Sequence, residues 1–116
     1  GIREDNSDFK DGLTDYVTGC CMFVHSSVIT QLNGFDSTFK MYMEDVDLCL
    51  RAKKMNFNCY FLEKPFLYHH VSASLSNVNN KVLKIIVSYI KLSIKHSGIS
   101  SILNVPLFLI RKFLSI

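Results

Sequence analysis

Runs of apolar residues separated by polar, turn-forming stretches divide the first half of the chain into short elements. Residues 16–25 are apolar and partly β-branched, as in a buried strand, whereas residues 44–55 start with acids and end with bases, as helices do. The Asn33-Gly34 pair is a typical helix stop. The predicted elements are, in chain order, a strand at 16–25, a helix from Ser26 or Ser27 to Leu32, a loop at 35–43, a helix at 44–55 and a strand at 59–63. This pattern predicts a mixed α/β fold class.

Two hydrophobic segments follow a polar, turn-rich stretch at 72–80. In the first segment polar residues recur at helical spacing, which predicts a helix with one basic stripe. The stripe consists of Lys81, Lys84, Ser88, Lys91 and Lys95. The second segment, 99–116, is interrupted by Pro106 and by Arg111-Lys112. Neither segment contains about 18 to 20 uncharged apolar residues, so neither is predicted to span a membrane.

The charge is small overall but unevenly distributed. A net charge of +3 over 116 residues is too little to argue for a nucleic-acid partner. Residues 81–116 carry no acid, and their charged groups are lysines and arginines, apart from histidine. This asymmetry favours an anionic membrane surface as a partner of the C-terminal part.

The cysteines do not form a recognisable metal or disulfide pattern. They are Cys20, Cys21, Cys49 and Cys59, with two adjacent and none in a CxxC pair. We therefore expect reduced, buried cysteines. Because the first ten residues are polar, unlike a signal peptide, we expect a cytoplasmic location. The basic C-terminal part favours, in addition, peripheral association at the inner face of the cell membrane.

Three acids stand at the start of the predicted second helix, where the helix dipole stabilises each by a few tenths to about 1 kcal/mol. Asp47 lies four residues before Arg51, so we interpret it as part of a surface ion pair. Asp45 instead lies on the same face of this helix as the apolar stripe, N-terminal to it. Its side chain is therefore directed towards the interior or a cleft. The stripe consists of Leu48, Cys49 and Ala52. A carboxylate at the mouth of a cleft suits a general base, so Asp45 is either a base or a simple dipole-stabilised acid.

A second candidate site is the Tyr68-His69-His70 segment. Adjacent residues of an extended segment point to opposite faces, so at most one of the two histidines enters a given site. No second ligand is adjacent in the sequence. The histidines are therefore either surface residues or part of a metal site completed from elsewhere.

These pieces, in this order, resemble the acceptor-side half of family 2 glycosyltransferases of the rhamnosyltransferase-like kind. The matching segments are VTGCCMFV (17–24), LNGFD (32–36), YMEDVDLCLR (42–51) and YHHVSAS (68–74). Each segment alone is weak evidence for the family, whereas the GFD, EDVDLCLR and HH elements at these spacings form a specific combination. The resemblance extends over about residues 16–76.

The resemblance implies a partial GT-A fold, in which the strand carrying Gly19 lies in the central sheet and the helix with Glu44 and Asp45 borders the acceptor cleft. Asp45 would be the base that deprotonates the acceptor, with Glu44 orienting the base or contacting the acceptor. The acceptor-binding residues would be Phe35, Asp36 and Tyr42. His69, with His70 as second choice, would help to bind a divalent metal or the diphosphate.

The implied reaction transfers a sugar from a nucleotide-diphosphate donor to a saccharide or lipid-linked acceptor with inversion, helped by Mg²⁺ or Mn²⁺. Complete members of the family begin with a nucleotide-binding half that ends in an Asp-x-Asp motif. Asp45-Val46-Asp47 has these letters but lies in the predicted helix. We therefore expect residues 1–78 to be the C-terminal half of a catalytic domain, residues 79–116 to be an amphipathic helical tail, and the chain alone to be inactive.

The alternative hypothesis is a non-catalytic, membrane-peripheral interaction module built on the lysine stripe. An equal interpretation of the same helix is that it packs on the missing half of the domain and keeps its lysines in water. A half-domain also leaves apolar surface uncovered, which predicts self-association. A metal or redox role for the cysteines and histidines is disfavoured by the irregular cysteine spacing.

Overall fold

The computed structural model describes residues 11–62 and 78–98, together with residues 101 and 106. The described part contains, in chain order, strand β1 (Gly12–Thr14), helix α1 (Ser26–Gln31), helix α2 (Glu44–Lys54), strand β2 (Cys59–Phe61) and helix α3 (Val78–Ser97). This mixture of helices and strands agrees with the predicted α/β class.

The two strands form one antiparallel pair, in which Leu13 is opposite Tyr60. The pair therefore connects the polar start of the described chain with the segment that follows α2. Strand β2 was predicted from its apolar residues. Strand β1 was not, because three residues are too few to show an alternating pattern.

Helix α1 agrees with the prediction, although a different residue forms its cap. The N-cap is His25, whose imidazole Nδ1 accepts a hydrogen bond from the Ser27 backbone N–H at 3.3 Å. At the other end, Asn33 and Gly34 adopt left-handed conformations with φ of 57° and 72°. The Gly34 N–H donates to the Ile29 carbonyl at 2.9 Å, so the predicted stop does end the helix.

Helix α2 covers the predicted range, with Met55 as its C-cap. The residues of its predicted apolar stripe are all buried: Leu48, Cys49 and Ala52. Leu48 and Ala52 pack with Leu32 in a small core, surrounded by half-buried apolar side chains. These are Met22, Val28, Ile29 and Phe57. The apolar spacing of α2 thus correctly identified the face that joins α1.

The predicted buried strand at 16–25 is not observed. These residues form neither helix nor strand, and the Phe23 side chain is 90% exposed. A strand needs a neighbour to pair its backbone groups, and the sheet in the described part contains β1 and β2 only. The expectation of buried cysteines is also wrong in this segment, since Cys20 and Cys21 are exposed, whereas Cys49 is buried.

Helix α3 packs on the loop between α1 and α2. Ile85 and Leu92 are buried, and the buried Ser88 hydroxyl donates to the Met41 carbonyl at 2.9 Å. None of the helices in the described part combines the length and the apolar character that crossing a bilayer would require. The division into two units at residue 78 stays a prediction.

Candidate functional site

The residues just before α2 have an unusual backbone conformation. Tyr42 and Met43 are both left-handed, with φ of 66° and 69°, and α2 begins at the next residue. Residues other than glycine adopt this conformation at a cost, and such residues cluster at functional sites. This backbone therefore marks the start of α2 as a candidate site.

Asp45 is held in place by two backbone N–H groups. Its Oδ2 accepts a hydrogen bond from Gly19 at 2.8 Å, and its Oδ1 accepts one from Val46 at 2.8 Å. A Cβ added at Gly19 would lie 3.5 Å from the Asp45 Cβ, in ordinary contact. The half-buried carboxylate thus has a fixed orientation, and, among the residues that the structure describes, each oxygen accepts one hydrogen bond and keeps a second acceptor direction.

Glu44 is half-buried beside Asp45 in the sequence. In the described part of the chain, its Oε2 is buried and accepts no hydrogen bond. A buried carboxylate oxygen without a donor is unfavourable. Glu44 therefore offers an acceptor to a group that binds at this place.

Asp47 occupies a different environment from the one predicted. The pair with Arg51 exists, at 2.8 Å, but it is not a surface pair, because the Asp47 side chain is completely buried. Lys95 Nζ and His96 Nε2 lie 2.6 and 2.8 Å from Asp47 Oδ1. Burial alone would raise the pKa of this carboxyl, but the hydrogen bonds from Lys95, His96 and Arg51 outweigh it and hold the pKa below its usual value. The surface interpretation failed because α3, which is distant in sequence, covers this carboxylate.

Arg51 extends this contact to the end of α1. Its Nη1 donates to the Leu32 carbonyl at 2.6 Å, and its Nη2 donates to the Gly34 carbonyl at 2.8 Å. These carbonyls lie at the C-terminal end of a helix, where backbone acceptors lack helical partners. Arg51 therefore fixes the Asn33-Gly34 turn relative to α2.

A cleft of about 270 Å³ lies at this turn. Its lining residues are Leu32, Asn33, Gly34, Phe35, Asp36, Ser37, Arg51 and Lys95. Asp36 Oδ2 pairs with Lys95 Nζ at 2.7 Å, and its Oδ1 accepts a hydrogen bond from the Thr38 backbone at 2.8 Å. The hydrogen bond from Lys95, followed by those from Thr38, lowers the pKa of Asp36 well below its usual range.

The predicted site residues fall into two groups. Phe35 and Asp36 line the cleft, whereas Tyr42, Glu44 and Asp45 are not among its lining residues and lie at the start of α2. Lys95 contacts both Asp36 at the cleft and Asp47 on α2, the helix whose start carries Glu44 and Asp45. The structure thus does not bring all five residues into one cavity.

The predicted metal ligands His69 and His70 lie outside the described residues. Within the described residues, no group of three or more His, Cys, Asp or Glu side chains could hold a metal ion. These residues by themselves therefore do not fit a metal site, and the requirement for Mg²⁺ or Mn²⁺ stays a prediction.

Sequence reasoning missed Lys95 and His96 as partners of the site. The helical spacing placed Lys95 in an outward-facing stripe, and His96 was not singled out. The one available signal was the excess of acid at 36–47 and of base at 81–95, which are complementary in charge.

Comparison with known proteins gives several curated relatives, all named as glycosyltransferases. The chain is 29% identical over 98 residues to the N-acetylglucosaminyl-diphospho-decaprenol L-rhamnosyltransferase of Mycobacterium tuberculosis. These aligned residues cover 83% of this chain and 32% of that protein. It is 33% identical over 64 residues to the rhamnosyltransferase WbbL of Escherichia coli, covering 55% of this chain and 24% of that protein. It is 36% identical over 44 residues to the low-salt glycan biosynthesis hexosyltransferase Agl10 of Haloferax volcanii, covering 38% of this chain and 14% of that protein.

The chain is therefore similar in sequence to parts of several named glycosyltransferases. In each relative the matched part is about a third of the protein's length or less. No protein-family model matches the chain. No solved structure matches it either.

Proposed function

We propose that the chain is the acceptor-side part of an inverting family 2-type glycosyltransferase with a GT-A fold. The observation that supports this most strongly is the fixed carboxylate of Asp45, which is held by Gly19 and Val46 directly after a left-handed backbone segment. The similarity to named glycosyltransferases indicates the reaction class in which such a carboxylate has a role.

In this proposal Asp45 is the general base. The acceptor hydroxyl donates a hydrogen bond to a free acceptor direction of the carboxylate, and its proton passes to Asp45 as the oxygen attacks the anomeric carbon. The new carbon–oxygen bond forms as the bond to the diphosphate breaks on the opposite side, which inverts the anomeric configuration. The nucleoside diphosphate leaves with the bonding electron pair.

The neighbouring residues would position the acceptor. Glu44 Oε2, which is buried without a hydrogen-bond donor in the described part, would accept from a second acceptor hydroxyl. Phe35 is 52% exposed at the cleft and would pack against the apolar face of a sugar ring. Asp36 would hydrogen-bond sugar hydroxyls, and Tyr42 would contact the acceptor beside Asp45. The acceptor is a saccharide or a lipid-linked saccharide.

The donor side would lie outside these 116 residues. The chain spans about a third of the length of the relatives it matches first, and we propose that the remainder of a longer protein holds the nucleotide-diphosphate sugar. A divalent metal would be held mostly by that remainder, and His69 or His70 of this chain would supply one further ligand. The chain on its own would then be inactive.

A transfer assay tests this proposal. The protein from the complete reading frame that includes these residues is incubated with a panel of radiolabelled nucleotide-diphosphate sugars and with glycan and lipid extracts of its source. We expect transfer from one donor, with the anomeric configuration of the product, read by NMR, opposite to that of the donor. Retention of configuration, or no transfer from any donor, would contradict the proposal.

A further inference from the structure

Part of the polar stripe of α3 faces the protein, which its sequence did not suggest. The stripe of polar residues was expected to face water or a membrane. In the structure Ser88 is buried, Lys95 pairs with Asp36 and Asp47, and Lys91 donates to the Thr38 carbonyl at 3.2 Å. The part of the polar stripe from Ser88 to Lys95 therefore contacts the protein, whereas Lys84 is exposed.

An apolar stripe remains on the outside of the same helix. Leu83, Val87 and Ile94 are 61%, 42% and 43% exposed. They stand at positions i, i+4 and i+11, so they lie on one face, and we call them the outer stripe. Because Ile85 and Leu92 are already buried on the inner side, α3 is apolar on two faces, and a second apolar face needs a second cover.

The charges beside the outer stripe indicate what covers it. Lys84 and Lys91 are exposed, and they lie three residues before and four residues after Val87, at the edge of this face. Helix α3 contains no acidic residue, and neither does the rest of the chain after it. An exposed apolar face bordered by lysines is complementary to an anionic lipid interface, which takes up the aliphatic groups and attracts the ammonium groups.

We propose that the outer stripe of α3 docks on an anionic phospholipid membrane, with Lys84 and Lys91 contacting the lipid phosphates. The helix has 20 residues and would lie along the surface over about 30 Å. The outer stripe lies roughly 100° around the helix from Lys95, which pairs with Asp36 and Asp47, so binding at the stripe leaves these ion pairs intact. This inference does not depend on transferase activity.

Vesicle binding by the full 116-residue chain tests it. The probe is vesicles of phosphatidylcholine with or without phosphatidylglycerol, at low salt, since salt screens such contacts. We expect binding to the anionic vesicles only. The Lys84→Glu/Lys91→Glu variant should bind at least about tenfold more weakly, because each basic residue contributes a several-fold gain in affinity. Leu83→Ser/Val87→Ser should weaken binding by about tenfold through loss of apolar burial.

The matched control is Lys40→Glu/Lys54→Glu, which changes the net charge equally at exposed lysines outside α3. It should bind nearly as well as the wild type. Because Lys91 also contacts Thr38, the single Lys84→Glu variant is measured alongside, and thermal unfolding verifies that each variant is folded.

Three results would overturn the proposal. The first is absence of binding, or binding that the α3 variants leave unchanged. The second is equal weakening by the Lys40 and Lys54 control, which would mean a non-specific response to net charge. The third is an outer-stripe variant that changes the oligomeric state in gel filtration but not vesicle binding, since a second copy of the chain would then cover the stripe.

Discussion

At the scale of single residues, the carboxylate of Asp47 connects three parts of the described molecule. It lies on α2 and contacts Arg51 on the same helix, and Lys95 and His96 on α3. Arg51 in turn holds the end of α1. Asp47 is two positions after Asp45, so this cluster also fixes the helix that carries the proposed base. We therefore assign Asp47 a structural role, while the chemical role stays proposed for Asp45.

Removal of the Asp47 carboxylate should destabilise the fold strongly. Asp47→Ala leaves the cations around it without a counter-ion in a buried place, which typically costs about 3–5 kcal/mol. We expect a loss of that size in the free energy of unfolding measured by urea denaturation. Asp15→Ala is the matched control, because Asp15 pairs with Lys53 on the exposed surface and should contribute little. Equal midpoints for the two variants would show that the buried cluster does not stabilise the fold.

At the scale of elements, local signals predicted the helices and failed for the strand at 16–25. The dipole-matched charges and the apolar spacing of α2 belong to the helix itself, so they are visible in the sequence. A strand depends on hydrogen bonds to a neighbour, which a local run of apolar residues does not specify. The direction in which α3 faces was equally hidden, because it depends on contacts with Asp36 and Asp47, which lie 59 and 49 residues earlier than their partners on α3.

The same difference applies to the candidate site. Asp45 could be proposed because its own helix shows an apolar stripe behind it, whereas Glu44 was proposed from the family resemblance alone. The hydrogen bond from Gly19 and the contact from Lys95 arise only in three dimensions. The left-handed pair Tyr42 and Met43 has no sequence signal at all, since neither residue type favours that conformation.

The end of α1 gives a prediction at this scale. Gly34 is left-handed, with φ of +72°, and a Cβ added there would meet nothing within 4 Å. Gly34→Ala should therefore lose about 1–2 kcal/mol of stability through backbone strain alone. Gly19→Ala is the control, since Gly19 lacks a positive φ and its new Cβ would make ordinary contacts. Thermal unfolding of both variants checks this, and an unchanged melting temperature for Gly34→Ala would refute it.

At the scale of the whole molecule, the lowered pKa values of Asp36 and Asp47 link stability to pH. Their carboxylates are favoured in the folded state, so the stability they provide is complete above the unfolded pKa of about 3.9 and is lost as the pH falls through the lower folded pKa. Between neutral pH and about pH 5, these two groups should not change the melting temperature. Below about pH 4, the melting temperature should fall steeply.

The Asp47→Asn variant provides the comparison. It no longer has the Asp47 carboxyl to titrate, so its stability should be lower at neutral pH and should fall less on acidification. An acid-induced decrease identical to that of the wild type would show that Asp47 does not contribute to the pH dependence.

The central claim is that Asp45 acts as the base in sugar transfer. The most direct test is Asp45→Asn in the protein from the complete reading frame, with transfer rate and donor affinity measured in parallel. We expect the transfer rate to fall by about 10²–10⁴-fold, as for loss of a general base, with donor affinity unchanged. Asp15→Asn should retain full activity. Undiminished transfer by Asp45→Asn would contradict the account.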